Sequence, residues 1–344
     1  MVIMQCKYRI IYTRNKNLFL VFLFIKKLLS FDILSLFYYT IFVKKCLRGK
    51  ILKNLLIQWP IYFVLNFITI ILITIILYIT LVSDNNIYEI TEYNINSNKI
   101  DEKLKIVHIS DLHNAKFGEN NIDLVNNINE INPDLILITG DMFDANTTDL
   151  ENTLNFFRNL SNTNLNNIYY TPGNHEAARK SYYENLKVQI KEEKLNIKIL
   201  ENEIETITIK NNNINISGIS KEYLMNGKAF NELYNTINDK TLYNIVLCHY
   251  PERWENTLKN EKLYLGENLD FDCNLILTGH AHGGQIRLFN QGMFAPDQGY
   301  LPKYTSGLIN ITENEKEVIS RGLGNSTFPI RINNKPELIV ININ

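Results

Sequence analysis

The stretch "LILTGHAHGGQIRL", Leu275–Leu288, decides how the rest of the chain is read. Leu-Ile-Leu-Thr has the composition of a short buried strand, and Gly279 ends it. Two histidines follow with one residue between them, and then two glycines. The chain has only six histidines in 344 residues, so two in one turn need a reason. A lone histidine on an apolar strand is ordinarily a hydrogen-bonded core residue. A pair just past a strand end, framed by glycine, aims two imidazoles at something shared. In extended backbone alternate side chains point the same way, which would put His280 and His282 on one side. Gly279, Gly283 and Gly284 would let the backbone approach without a Cβ clash.

The same sequence of apolar run and polar turn recurs outward from this stretch. "LKIVHIS" (104–110), "PDLILITG" (133–140), "NIYYTPG" (167–173) and "YNIVLCH" (243–249) each end in a turn signal. Helix-like stretches at 121–131, 148–160, 180–193 and 252–258 lie between them. Alternating strands and helices predict an α/β domain with a largely parallel core. "ETITIKNNNINISGI" (205–219) reads as an antiparallel hairpin and "ELIVININ" (337–344) as a last strand. In such sheets the ligand site forms beyond the carboxyl ends of the strands.

Polar residues concentrate at those ends: Asp111 and His113, then Asp141 and Asp144, then Asn174, His175 and Glu176, then His249, then His280 and His282. Five of the six histidines fall there; His108 lies within a strand and reads as a core or supporting residue. Single Asp or Asn residues at strand ends are often only turn formers. Carboxylates gathered with imidazoles suit Zn, Mn or Fe. The set is too large for one tetrahedral ion and large enough for two ions sharing a carboxylate. Two metals roughly 3.5–4 Å apart can clamp a phosphate and activate a bridging water. Asp144 and Glu176 read as caps or supports rather than ligands. Arg287, Lys303, Arg321 and Arg331 could meet a substrate phosphate, but solvated or structural roles are the commoner case. Tyr300, Tyr304 and Phe328 could line a lipid-facing groove, with core packing the preferred reading. The glycines of "SRGLG" (320–324) read as a tight turn by the site.

The order D-x-H, GD-x-x-D, GNHE, H, GHxH resembles the calcineurin-like metallophosphoesterase superfamily, from about Lys103 to the C-terminus. "GHAHGGQIRL", "APDQGYLPKYTSGL" and "SRGLGNSTFPIR" are similar to its membrane-anchored bacterial branch, the YaeI/YkuE-like phosphodiesterases. That branch usually has Thr where Ala281 stands. The resemblance implies a four-layered sandwich of two mixed β-sheets flanked by helices. It also implies two divalent ions, Mn, Fe or Zn with Mn preferred. Asp111, His113 and His282 would hold the first ion and Asn174, His249 and His280 the second, with Asp141 bridging. His175 would be the general acid, and Asn174 would help stabilise charge on the phosphoryl oxygens. The implied activity is hydrolysis of a phosphodiester or pyrophosphate. A phosphomonoesterase, or an inactive envelope-binding module on the same fold, is the alternative.

Net charge is -1, but residues 1–84 carry eleven Lys/Arg against Asp32 and Asp84, while the remainder has 24 basic and 34 acidic residues. The acidic body speaks against nucleic acid as a partner, because phosphate binding needs a basic face. "IYFVLNFITIILITIILYITLV" (61–82) is free of charge and long enough to span a bilayer as a helix. Lys44, Lys45, Arg48, Lys50 and Lys53 precede it, and Lys99 alone follows closely, among Asp84, Glu89 and Glu92. The positive-inside rule then predicts an uncleaved anchor at the cell membrane with an extracytoplasmic catalytic domain. Residues 18–43 read as an in-plane helix or a second, poorer span. The expected organisation is a membrane region 1–83, a linker 84–102 and a catalytic domain 103–344. The expected substrate is a phosphorylated small molecule or a lipid-linked one. Cys6, Cys46, Cys248 and Cys273 form no CxxC, and the last two read as buried free thiols.

Overall fold

The structure is a computed structural model, and it describes residues 62, 64–76, 87–146, 150–221, 239, 241–252, 254, 273–288, 290–325 and 330–344. Residues 64–76, in the unit Ile10–Thr80, are helical, and most of their apolar side chains are exposed. The Thr69 and Thr74 hydroxyls donate to the carbonyls of Leu65 and Ile70 within that helix. No helix among the described residues is long and apolar enough to cross a membrane. The rest of the expected span 61–82, the stretch 18–43, Cys6, Cys46 and Phe328 lie outside the described residues.

The remaining elements belong to the unit that includes Leu81–Asn344. β1 (Glu89–Ile95), β2 (Leu104–Ile109), β3 (Leu135–Ile138), β4 (Ile168–Tyr170) and β5 (Lys198–Ile199) join the last strand, β16 (Glu337–Ile343), in one sheet of order β1-β16-β2-β3-β4-β5. β6 (Glu203–Ile209), β7 (Asn212–Ile219), β8 (Tyr243–Cys248) and β9 (Leu275–Thr278) join β14 (Gly307–Asn310) and β15 (Lys316–Ile319) in a second, of order β14-β15-β9-β8-β7-β6. Both are mixed. β2 through β5 are parallel, as are β7, β8, β9 and β15, whereas β16 is antiparallel to β2 and β6 to β7. Residues 205–219 form the expected antiparallel hairpin. The stretch 84–102, read as a linker, instead supplies β1, which pairs in parallel with all of β16. Its Asn-rich polarity hides the strand because an edge strand needs a partner on one side only.

The pleat explains how two sheets share one core. In β2, Leu104 and Ile106 face the second sheet, packing with Ile214, Ile245, Leu247, Leu275 and Val318. Val107 and Ile109 alternate to the outer face. There they meet α1 (Ile122–Ile131), α2 (Glu151–Ser161) and α4 (Lys180–Glu192). These helices present Leu124 and Ile128, Phe157 and Leu160, and Leu186 and Ile190, residues three or four apart on one stripe. Helix, sheet and sheet are therefore described as layers. Of the helix expected at 252–258, only Glu252 and Trp254 are among the described residues. Cys248 and Cys273 are free and buried.

Candidate metal centre

Parallel strands of both sheets end at the same edge, and the loops beyond them carry every predicted site residue. After β2 the chain stops being extended: Asp111 and His113 take φ of 50° and 43°. The Asp111 N–H donates to the Gly140 carbonyl and the His113 N–H to that of Asp141, both at 3.0 Å. The loop after β3 is thereby laced to the loop after β2. Gly140 has φ of 90°, and a Cβ there would collide with the Gly173 backbone, so glycine is required on both counts. After β4, α3 (Asn174–Ala178) begins on Asn174 itself.

The opening histidine pair is built differently from the sequence expectation. β9 ends at Thr278, and His280 and His282 are both left-handed, with φ of 64° and 47°. Ala281 between them is helical, and His282 opens a short 3-10 turn. The imidazoles converge because two left-handed residues flank a helical one, and extended alternation plays no part. Ala281 packs into an apolar cluster with Ala295, Tyr304 and Ile319. Asp141 is also left-handed, making five site residues in that region. Such conformations cost about 1–3 kcal/mol each and persist where surrounding structure enforces them; Asp and His tolerate them better than most residues.

Two separate triads result, and a third set overlaps the first. Asp111, His113 and His282 bring one ligand atom each within 4.8 Å of one another, and so do Asp141, His249 and His280; His113, Asp144 and His175 meet the same distance. His282 Nε2 lies 3.4 Å from Asp111 Oδ1, and His113 Nε2 lies 3.7 Å from the same oxygen. His249 Nε2 stands 3.1 Å from Asp141 Oδ2 and 3.0 Å from Asn174 Oδ1. Asp141 Oδ2 is also 3.6 Å from His113 Nε2, so this carboxylate faces both triads. His175 approaches Asp141 Oδ2 at 3.8 Å through Nε2 and accepts the Ala145 N–H on Nδ1 at 2.6 Å. Asp144 stands 3.8 Å from His113 Nδ1 and 3.9 Å from His175 Nδ1, and it closes a local turn by accepting the Asn146 N–H.

The donor chemistry fits a cation. Both ring nitrogens of His113 and Nε2 of His280 are buried without a hydrogen-bond partner. Each such atom costs about 1–3 kcal/mol unless something satisfies it. Burial pushes His280 down to about 4, with nearby His249 adding to the effect. Burial likewise lowers His282 well below its usual range, and lowers His175 against the pull of Asp141. Burial raises Asp111, but His282, His113 and His249 together hold it well below the ordinary carboxylate range. His249 runs the other way: burial lowers it, yet the charge and hydrogen bond of Asp141 raise it to about 10. A divalent ion beside Asp141 would compete with that proton, so metal uptake at His249 is expected to release it.

A second layer of contacts holds the donors. The Thr139 carbonyl accepts from His249 Nδ1 at 2.6 Å, which leaves Nε2 facing the centre. The Thr139 hydroxyl meets His108 Nε2 at 2.8 Å, the supporting place predicted for that residue. Glu176, wholly buried, accepts the N–H groups of Gly173, Asp141 and Met142. Arg331, also buried, bonds the Gly324 carbonyl and lies 3.3 Å from His282 Nδ1. The Asn334 amide donates to the His282 carbonyl at 2.7 Å. Gly322 and Gly324 press on Asp111 and His113, the role read from "SRGLG". Arg321 pairs with Glu89 and Glu337, and Arg287 donates to the Gly283 carbonyl, so both are structural. Tyr304 is buried as expected, but Tyr300 is 85% exposed and does not pack in a core. Sequence reading missed Thr139 and Asn334, whose only signal is proximity after folding.

Residues 104–284 match the calcineurin-like phosphoesterase family. An uncharacterized metallophosphoesterase of Campylobacter jejuni is 29% identical over 74% of this chain, and the match spans 63% of that protein's length. The uncharacterized metallophosphoesterase YkuE of Bacillus subtilis is 27% identical over 74% of this chain and 85% of its own. The solved NAD nucleotidase of Haemophilus influenzae aligns at 16% identity with a TM-score of 0.41, over 64% of this chain and 51% of that one. The chain belongs to the calcineurin-like phosphoesterase family, hydrolases of phosphoric esters that use divalent metals.

Proposed function

We propose that this protein is a membrane-tethered phosphoesterase with a dinuclear metal centre, acting on a phosphodiester or pyrophosphate of an envelope or lipid-linked substrate. The observation that carries the reading is the pair of triads with Asp141 between them. Asp111, His113 and His282 would hold one ion, and Asn174, His249 and His280 the other, with Asp141 shared. The mix of imidazole and carboxylate suits Zn, Mn or Fe, and the resemblance to the bacterial branch favours Mn among them. When bound, the ions supply Lewis acidity toward the phosphoryl oxygens and a water nucleophile at neutral pH.

The chain's own groups do the rest. Asn174 and the histidines orient a phosphate at the centre. The Ala145 N–H aimed at Nδ1 puts the ring proton of neutral His175 on Nε2, the nitrogen that faces Asp141. In that state His175 donates a hydrogen bond to the departing oxygen. To protonate it fully the ring must first gain a second proton on Nδ1, which breaks the bond from the Ala145 N–H; Asp144, 3.9 Å from Nδ1, is the carboxylate that would then accept from it.

Membrane tethering is supported by the basic head and the uncharged stretch 61–82. The outward-facing apolar side chains of residues 64–76 and the hydroxyls satisfied inside that helix agree with it. The charge asymmetry supports an extracytoplasmic catalytic domain at the cell membrane.

The test is hydrolysis of bis(p-nitrophenyl) phosphate by the detergent-solubilised full chain with Mn²⁺, beside metal analysis. Two ions per chain and diester turnover lost to chelator are expected. Turnover of p-nitrophenyl phosphate alone would favour the monoesterase. Bound metal without any turnover would favour the binding module. Reporter fusions after residue 100 test topology, and a fusion active only in the cytoplasm refutes it.

A further inference from the structure

Asp297 is not among the predicted ligands, yet its Oδ2 lies 3.5 Å from His280 Nε2. The same oxygen is 2.6 Å from the Lys221 ammonium. One carboxylate oxygen is thus shared between a cation and a buried ring nitrogen that has no hydrogen-bond partner. Lys221 directly follows the end of β7 and its neighbour Ser220, on the same edge as the triads. Its ammonium sits 4.3 Å over the Tyr250 ring, and that ring is 4.8 Å from the His280 ring. Asp297 arrives from another direction, in the turn between the two-residue strands β12 (Phe294–Ala295) and β13 (Gly299–Tyr300). Lys221 is 31% exposed and Asp297 40%, so solutes reach the pair.

A carboxylate oxygen and a phosphoryl oxygen are alike in charge and as acceptors. Asp297 therefore occupies a position suited to an anionic oxygen of a ligand seated on the His280 side. Among the described residues, four arginines by the centre are engaged elsewhere: Arg321 with Glu89 and Glu337, Arg331 with Gly324 and His282, Arg179 with the Ala145 carbonyl and Arg287 with that of Gly283. We propose that Lys221 is a phosphate-binding residue of this site, with Asp297 as its resident counter-ion that an incoming phosphoryl group displaces. The Tyr250 face keeps the ammonium in place after the carboxylate leaves. This inference rests on the phosphoesterase reading and adds the residue that selects for an anionic group beside the reacting one.

Inorganic phosphate is the probe, titrated calorimetrically into the Mn-loaded full chain, with metal content measured on each sample. Loss of a charge-assisted contact in K221M should weaken phosphate binding roughly tenfold or more, while K221R largely keeps it. D297N removes the competing carboxylate and should tighten phosphate binding with metal content unchanged. D297N carries the test by itself if K221M does not accumulate. Wild-type phosphate affinity in D297N and K221M overturns the proposal. So does loss of metal in D297N, which would make Asp297 a ligand. Wild-type protein that loads metal but binds no phosphate overturns the proposal, and the phosphoesterase reading falls only if bis(p-nitrophenyl) phosphate and p-nitrophenyl phosphate both go unhydrolysed, so the two failures are distinguishable.

Discussion

Glu176→Gln probes the join on which the centre depends. Glu176 Oε2 accepts the N–H groups of Asp141 and Gly173 at 2.9 and 2.7 Å, and Oε1 accepts that of Met142 at 2.9 Å. The Glu176 pKa is raised overall, by burial first and then by the Asp141 carboxylate, against the three donors that pull it down. A protonated acid would have to turn its O–H toward one of them, so the ionised form fits the three contacts and the acid does not. Gln can keep one oxygen where Oε2 serves two donors. Its NH2 group then faces the Met142 N–H, donor against donor. One buried donor left unsatisfied costs about 1–3 kcal/mol. For a domain of this size that is roughly 2–4 °C per kcal/mol, or about 2–12 °C in Tm. Glu176→Ala would strand all three donors at a cost of about 3–9 kcal/mol, comparable to the whole stability of a typical domain. Gln is therefore the informative variant. The assay is thermal unfolding by circular dichroism, with chelator and with Mn²⁺, alongside a metal titration. A lower Tm in both conditions and weaker metal uptake are expected, because the Asp141 backbone loses part of its anchor. An unchanged Tm and unchanged uptake would refute the reasoning and show that Glu176 is carried as the neutral acid.

His175→Ala should slow diester hydrolysis by about 10²–10⁴-fold while metal content stays at the wild-type level. The loss should shrink for very acidic leaving groups, whereas His280→Ala should reduce metal content itself; comparing leaving groups and metal analysis checks both. Gly279→Ala should cut metal uptake, since a Cβ there would collide with Ser110 Oγ and the Asp111 carboxylate; a metal titration reads it. Glu337 is buried, which raises its pKa, but the Arg321 charge and hydrogen bonds from Arg321 and Thr91 bring it below its ordinary value. A lowered carboxylate contributes stability above its unfolded value near 4.5, and that stability is lost as pH falls through the folded value. Urea midpoints measured from neutral pH down to below that value should fall less steeply for Glu337→Gln than for the wild type.

The sequence by itself determined the inner strands and the residue types gathered at their ends. "LKIVHI", "LILI" and "YNIVLC" are legible because strands buried on both faces are mostly apolar, broken here only by Lys105, His108 and Asn244. Asp111, His113, Asp141, Asn174, His175, His249, His280 and His282 are legible because each follows such a run, where a parallel sheet collects its ligands. β1 was not legible, since an edge strand rich in Asn and Glu satisfies its backbone through β16, almost 250 residues away. Only the tertiary structure decided how the imidazoles are aimed. The left-handed turns at Asp111, His113, Asp141, His280 and His282 are held by contacts between loops, such as His113 N–H to Asp141 and Asn334 to the His282 carbonyl. The Lys221–Asp297 pair belongs to the same class. Its members come from different sheets, far apart in sequence, and meet only because β7 and the β12–β13 hairpin end beside His280. Local sequence specifies strand and ligand type because those depend on a residue and its neighbours, whereas ligand direction depends on partners that only folding brings within a hydrogen bond.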